Sequence, residues 1–340
     1  MRQLYFLVPG TGKPFQYGGL FAELNLLNIA RKLAYTAQLV TYTVREDKTL
    51  FLPDLLQSSD DHRNAIFVIT WGYDVPKLIQ QLQHCHVIYH AQSSGYAFDI
   101  PSHVPILTGS RNTLGYWGQR SPHALLYYLP NLVPAKFKDL GLVRTIDILI
   151  HQRKSSQYLT DCLIPALQQQ FNVFVIDRFI DDLVTLLNQS KLYLYDSTEY
   201  WSQKNVTEGF GLQPLEALAC GCQVFSSVNG GLSDYLDPGF NCHKIAGYSQ
   251  AYDIQRITDV LNQFEQYQLP PVAFDEYRHD NIAKRLQIIM TELNQFFDHR
   301  QNTPNAKLPF TAKEPAPTLQ KRIYRSRRWL KAQIKQKFGR

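Results

Sequence analysis

Short apolar runs recur along the chain, each bounded by polar turn residues and followed by a longer amphipathic stretch. Runs of three to six residues with no strict apolar and polar alternation suit strands covered on both faces, as in parallel sheets. The first series is Leu4–Val8, Ala37–Tyr42, Ala65–Thr70, His86–Ala91, Ile106–Thr108 and Leu125–Tyr128. Helical stretches intervene, most clearly Gly19–Leu33. A second series follows at Ile146–Ile150, Val173–Ile176, Lys191–Tyr195 and Gln223–Ser226, and a helix is expected from Tyr277 to Phe297. Alternating strand and helix signals place the chain in the α/β class, with helices on both faces of parallel sheets. Between the two series, Pro130-Asn131-Leu132-Val133-Pro134 reads as an extended crossing, because the residue before a proline is driven out of helical space. The expected boundary lies near residues 135–145. Two doubly wound domains, 1–140 and 141–300, then face a cleft, with ligands at the carboxyl ends of their strands.

Composition sharpens this picture at the chain's end. The 340 residues are 44% hydrophobic, which is ordinary for a globular protein of two cores. No apolar run approaches the length of a membrane span, and the N-terminus lacks a signal-peptide layout. Five cysteines without framework spacing suit a reducing compartment, so a cytoplasmic location is expected. Cys220-Gly221-Cys222 and Cys242-His243 are read as packing or surface residues, and His84-Cys85-His86 lacks a carboxylate to complete a metal site. Residues 301–317 are rich in proline and polar side chains and read as a linker. The segment 318–340 carries nine Lys or Arg and no acid, so removing it from the whole-chain net charge of +6 leaves −3 on residues 1–317. Leu319, Ile323, Leu330, Ile334 and Phe338 fall near one helical face. A basic amphipathic helix of this kind suits an anionic membrane surface, at the inner face of the membrane. A merely solvated tail is the next reading, and nucleic-acid binding is set aside, since phosphate contacts alone leave the apolar stripe unexplained.

The most informative run is Thr207–Leu236, TEGFGLQPLEALACGCQVFSSVNGGLSDYL. Glu208 precedes Gly209-Phe210-Gly211, where two glycines allow a sharp turn and close approach to a ligand. Pro214 suits the first position of a helix holding Leu215-Glu216-Ala217-Leu218-Ala219, expected to stop at Gly221. The free amides of that helix start are a natural diphosphate site. Singly, Glu208 reads first as a solvated loop residue and Glu216 as a helix-dipole partner, ahead of any functional role. As an ordered whole, the run resembles the donor-binding motif of retaining glycosyltransferases of the GT-B fold, the group 1 or family 4-like enzymes, which have two Rossmann-like domains. Their two glutamates stand eight positions apart, as Glu208 and Glu216 do here. The resemblance implies that Glu208 contacts the donor sugar, that Glu216 holds the ribose hydroxyls, and that the Phe210-Gly211-Leu212 backbone meets sugar or phosphate.

Weaker elements fall where that family would need them. Gly18 and Gly19 open the first long helix, where the family has a glycine loop against donor or acceptor. His90 ends its strand and is expected to project into the cleft, where the resemblance implies a contact to the donor sugar and to developing charge. Arg153 and Lys154 follow the first strand of the second series and suit a leaving diphosphate. Because they are adjacent, their side chains are expected to diverge. The implied chemistry is hexosyl transfer from a nucleotide-diphosphate sugar to an acceptor hydroxyl, with retention, no cofactor and no metal, since the chain has no Asp-x-Asp triplet. A surface glycan or a lipid-linked glycan or glycolipid is the expected acceptor. Rival readings are a nucleotide-sugar epimerase of the same fold and a non-catalytic sugar-nucleotide or glycan-binding scaffold.

Overall fold

The computed structural model describes residues 2–302 apart from 59–61, 71, 179, 246 and 267–268. Of the expected linker only Gln301 and Asn302 are described, and they are helical; the rest of it and the basic tail lie outside the described residues. Strands β1 (Leu4–Val8), β2 (Ala37–Thr41), β3 (Leu50–Phe51), β4 (Ile66–Ile69), β5 (His86–Ala91), β6 (Ile106–Thr108) and β7 (Leu126–Tyr128) form one parallel sheet in the order β3-β2-β1-β4-β5-β6-β7. Its connections include α1 (Gly18–Lys32), α2 (Leu52–Gln57), α3 (Val75–Gln81) and α4 (Arg111–Arg120). The period of two splits β1 cleanly: Leu4 and Phe6 pack into one apolar layer, Tyr5 and Leu7 into the other.

A second parallel sheet, ordered β12-β11-β10-β8-β9, is built from β8 (Ile146–His151), β9 (Val173–Ile176), β10 (Ser190–Tyr195), β11 (Gln223–Ser226) and β12 (Cys242–Lys244). Around it lie α5 (Ile164–Leu167), preceded by a π-helical stretch at Tyr158–Leu163, then α6 (Leu183–Asn188), α7 (Thr198–Gln203), α8 (Leu212–Ala219) and α9 (Gln250–Asn262). Here Leu192 and Leu194 of β10 face one layer, while Tyr193 and Tyr195 face the layer shared with α8. That parity aims Tyr195 at the loop before α8.

Three details differ from the sequence reading. The short edge strands β3 and β12 were not anticipated. Helix α8 starts at Leu212, which puts Pro214 in the third position rather than the first. The last helix, α10 (His279–Asn302), was assigned with residues 141–300, yet Ile282, Leu286, Ile289, Met290 and Leu293 pack with Leu4, Phe6, Ile66 and Ile88 of the first sheet. The chain thus crosses between sheets twice. The crossings are tied together, with Val133 N–H donating to the Tyr277 carbonyl at 2.9 Å and Arg278 donating to the carbonyls of Val133, Pro134 and Phe137 at 2.9–3.2 Å. Contacts group Met1–Phe297, which holds both sheets, into one unit; of the other, Asp298–Arg340, only the end of α10 is described.

Candidate functional site

At the carboxyl edge of the second sheet, the chain leaves β10, makes the short helix α7 and returns through Thr207 to Glu208. Gly211 precedes α8 with φ 76°, and no side chain caps the helix N-terminus. Only glycine takes this conformation without strain. A Cβ there would also meet Leu232 Cδ2 at 2.2 Å. Phe210 is buried against Tyr235 and Tyr277, so its side chain belongs to the core and only its backbone is left for a ligand. The Tyr235 hydroxyl pins the loop by donating to the Phe210 carbonyl at 3.1 Å and to the Gly211 carbonyl. At the far end of α8, Gly221 has φ 84° and Arg144 donates to the Cys220 carbonyl at 2.8 Å, satisfying the last turn.

Glu208 is 6% exposed. Its Oε2 accepts from the Tyr195 hydroxyl, from the Trp201 indole N–H at 2.6 Å and from the Ser197 hydroxyl at 3.3 Å, with Lys154 Nζ at 3.8 Å. Burial, then the Glu208 charge, hold the Tyr195 phenol well above its usual range, so it stays a donor. Glu216 is partly buried in the body of α8, and no hydrogen bond or ion pair reaches its carboxylate among the described residues. Burial pushes its carboxyl up to about 7, with the Lys136 ammonium opposing the shift.

Arg153 and Lys154 diverge. Lys154 has φ 77° and turns inward, its Nζ 4.5 Å from the centroid of the Trp201 ring and near Glu208. Arg153 stays exposed, with its guanidinium 5.0 Å from the ring centroid of Tyr17. Tyr17 precedes α1, whose N-terminus also has no side-chain cap, and Gly18 leaves open space where a Cβ would stand. Gly18 and Gly19 therefore follow directly on the residue that Arg153 reaches from the second sheet. The preceding His151 is held below the usual histidine range by burial and then by the Arg153 and Lys154 cations.

His90 is placed differently from expectation. Its ring does not project into the cleft but lies 2% exposed beneath α1, where Nδ1 pairs with the buried Glu23. Gln92 Nε2 reaches Glu23 at 3.1 Å and His90 Nδ1 at 3.2 Å. Among the described residues the His90 ring bonds to Glu23 and Gln92, and the Gln92 backbone carbonyl abuts Gly209. A Cβ on Gly209 would come within 1.7 Å of that oxygen. The neighbouring contacts join the same two loops: Ser93 Oγ donates to the Thr207 carbonyl at 2.6 Å, Ser94 Oγ meets Thr207 Oγ1 at 2.5 Å, and Thr207 N–H donates to the Ser94 carbonyl at 3.1 Å.

The bonds of Tyr195 and Trp201 to Glu208 were not anticipated from the sequence. The period-two parity of β10 was the available signal for Tyr195. Ser93, Ser94 and Glu23 were missed altogether, and only the small residues at a strand end hinted at the first two.

Residues 143–284 match the glycosyl transferases group 1 family. No curated protein sequence matches the chain. Among solved structures, sucrose-phosphate synthase from Thermosynechococcus elongatus is similar at 13% identity and TM-score 0.59, covering 90% of this chain and 100% of that one. HepE from Anabaena in complex with UDP-glucose is similar at 14% identity and TM-score 0.61, covering 86% and 100%. The pneumococcal O-GlcNAc transferase GtfA in complex with UDP and GlcNAc is similar at 9% identity and TM-score 0.60, covering 86% and 99%. The structural likenesses give the chain the GT-B fold. With the group 1 domain spanning the second sheet and the Glu208 loop, the protein is a glycosyltransferase enzyme.

Proposed function

We propose that this enzyme moves a sugar from a nucleoside diphosphate sugar to an acceptor hydroxyl, with retention of anomeric configuration and without a metal ion. One observation carries the reading: a braced carboxylate, Glu208, stands beside an inward-turned lysine and an uncapped helix start at the carboxyl edge of a parallel sheet. Such an edge is where doubly wound sheets take ligands. The complexes of HepE with UDP-glucose and of GtfA with UDP and GlcNAc, on similar folds, support the same class of donor.

In this reading, the amides around Phe210-Gly211-Leu212 and the positive end of α8 bind the diphosphate. Lys154 and Arg153 add charge that grows more valuable as the anomeric bond breaks and the diphosphate becomes the leaving group. Glu208 accepts from donor-sugar hydroxyls, and Glu216 accepts from the ribose. Gly18 and Gly19 leave room for the donor or acceptor. His90 holds Gln92 and, through it, the loop against Gly209, and so acts as a positioning residue rather than by touching sugar. Attack comes from the face the diphosphate leaves, with no protein nucleophile. The acceptor is a glycan or glycolipid, and the tail 318–340 brings the enzyme to an anionic membrane surface in the cytoplasm.

The test is calorimetric titration with UDP-, GDP-, ADP- and dTDP-sugars in EDTA, repeated with Glu216→Ala. Selective binding that is lost in the variant is the expected result. Binding that requires added divalent cation would overturn the metal-free step, and no binding at all would overturn the donor site.

A further inference from the structure

The two oxygens of Glu208 have unlike surroundings. Oε2 takes the Tyr195 hydroxyl, the Trp201 indole and the Ser197 hydroxyl, with Lys154 close by. A carboxylate oxygen has about two lone-pair sites, so Oε2 is saturated. No donor among the described residues reaches Oε1, and this atom is not sealed from solvent. The carboxylate is held by one oxygen and offers the other.

Among the described residues, Trp201 is a side chain that contacts both charges of the cluster. Its edge donates to Glu208 and its ring face lies under the Lys154 ammonium. Both contacts are charge-assisted and directional, and the ring is rigid about two torsions. Helix α7 keeps the indole in place: Trp201 N–H donates to the Ser197 carbonyl at 3.2 Å, Val206 N–H donates to the Trp201 carbonyl at 3.2 Å, and the Tyr200 ring packs against the indole at 5.1 Å and 81°.

We propose that Trp201 is a positioning and specificity residue for the sugar half of the donor: it fixes Glu208 so that Oε1 accepts from a sugar hydroxyl, and it sets Lys154 beside that carboxylate. The inference rests on the donor reading above. It separates the two halves of the ligand. The nucleoside diphosphate meets Glu216, the α8 amides, Arg153 and Lys154; of these Lys154 lies on the indole's ring face, which a phenylalanine keeps, so it is the indole N–H bond to Glu208 that carries sugar-dependent affinity alone.

The experiment compares titrations of UDP, GDP, ADP and dTDP with those of their glucose esters, in wild type and in Trp201→Phe. Phenylalanine keeps a ring face for Lys154 and removes the N–H. The expected result is an affinity about tenfold lower for the glucose ester, the range of one charge-assisted hydrogen bond, with the free diphosphate unchanged. Unchanged ester affinity overturns the proposal, as does tighter ester binding, which would make Trp201 a plug that competes for Glu208. Equal loss for ester and diphosphate in a variant that melts like wild type assigns Trp201 a merely structural role. Should Trp201→Phe not fold, Trp201→His keeps a ring and an N–H. It is expected to hold ester affinity within about threefold, and a tenfold loss there overturns the proposal. Wild type binding none of these ligands removes the donor reading itself, and this inference with it.

Discussion

Glu216 carries a charge that the surrounding protein does little to satisfy. Its carboxyl, pushed up to about 7 by burial, holds its proton longer in the folded chain than in the unfolded one. The corresponding stabilisation is complete below the ordinary carboxylate pKa of about 4.3 and is lost as the pH rises through about 7. Glu216→Gln removes that loss. Its stability relative to wild type is therefore expected to grow by on the order of 2 kcal/mol between about pH 5 and about pH 8, as thermal melts would register. Donor binding should move the other way with the proposed role, because the ionised carboxylate is the better acceptor for ribose hydroxyls. Wild-type affinity is expected to rise across the same window, and the Gln variant's to stay flat. A wild-type affinity indifferent to pH would remove Glu216 from the ribose.

Among the elements, the loop carrying Glu208 is threaded between two others. Gly209 lies against the Gln92 carbonyl on one side, and a Cβ on Gly231 would come within 2.2 Å of the Glu208 carbonyl on the other. Gly209→Ala places a methyl group inside the van der Waals radius of a backbone oxygen, and one of the two loops must give way. Overpacking of this kind costs about 2 kcal/mol. A melting temperature lower by about 4 °C is expected, with weaker donor binding because Thr207 and Glu208 shift together. An unchanged melt would mean that the two loops stand apart in solution. The same elements mark how far the sequence could be read. Buried parallel strands announce themselves as apolar runs, and the glycines before and after α8 were legible from their turn chemistry. His90 was misjudged because both faces of β5 are covered: Val87, Tyr89 and Ala91 pack on one side and Ile88 on the other, so no alternation tells which way residue 90 points. Edge strands of two or three residues, β3 and β12, are too short to have a period. The destination of α10 is a long-range matter, since its apolar stripe fits either sheet until Leu4 and Phe6 are seen beneath it.

For the molecule as a whole, charge is divided along the chain in a way that fold and site do not require. Residues 1–317 carry −3, while nine cations and no acid occupy 318–340. A net charge of that sign works against adsorption to anionic lipid, so the proposed attraction rests on the tail. No helix among the described residues is long and apolar enough to cross a membrane. Adsorption through the proposed tail helix has two separable parts. Each basic residue near an anionic surface contributes about 1 kcal/mol, screened within a Debye length of about 10 Å at 0.1 M salt and about 3 Å at 1 M. The apolar stripe from Leu319 to Phe338 adds a term that salt does not screen. Co-sedimentation with phosphatidylserine-containing vesicles should therefore capture the full chain and leave behind a chain ending at Asn302. Raising the salt should weaken capture of the full chain without abolishing it. Complete loss at high salt would reduce the tail to an electrostatic tether and leave the stripe without a role, whereas equal capture of both chains would move the membrane contact into residues 1–302 and end the case for the tail.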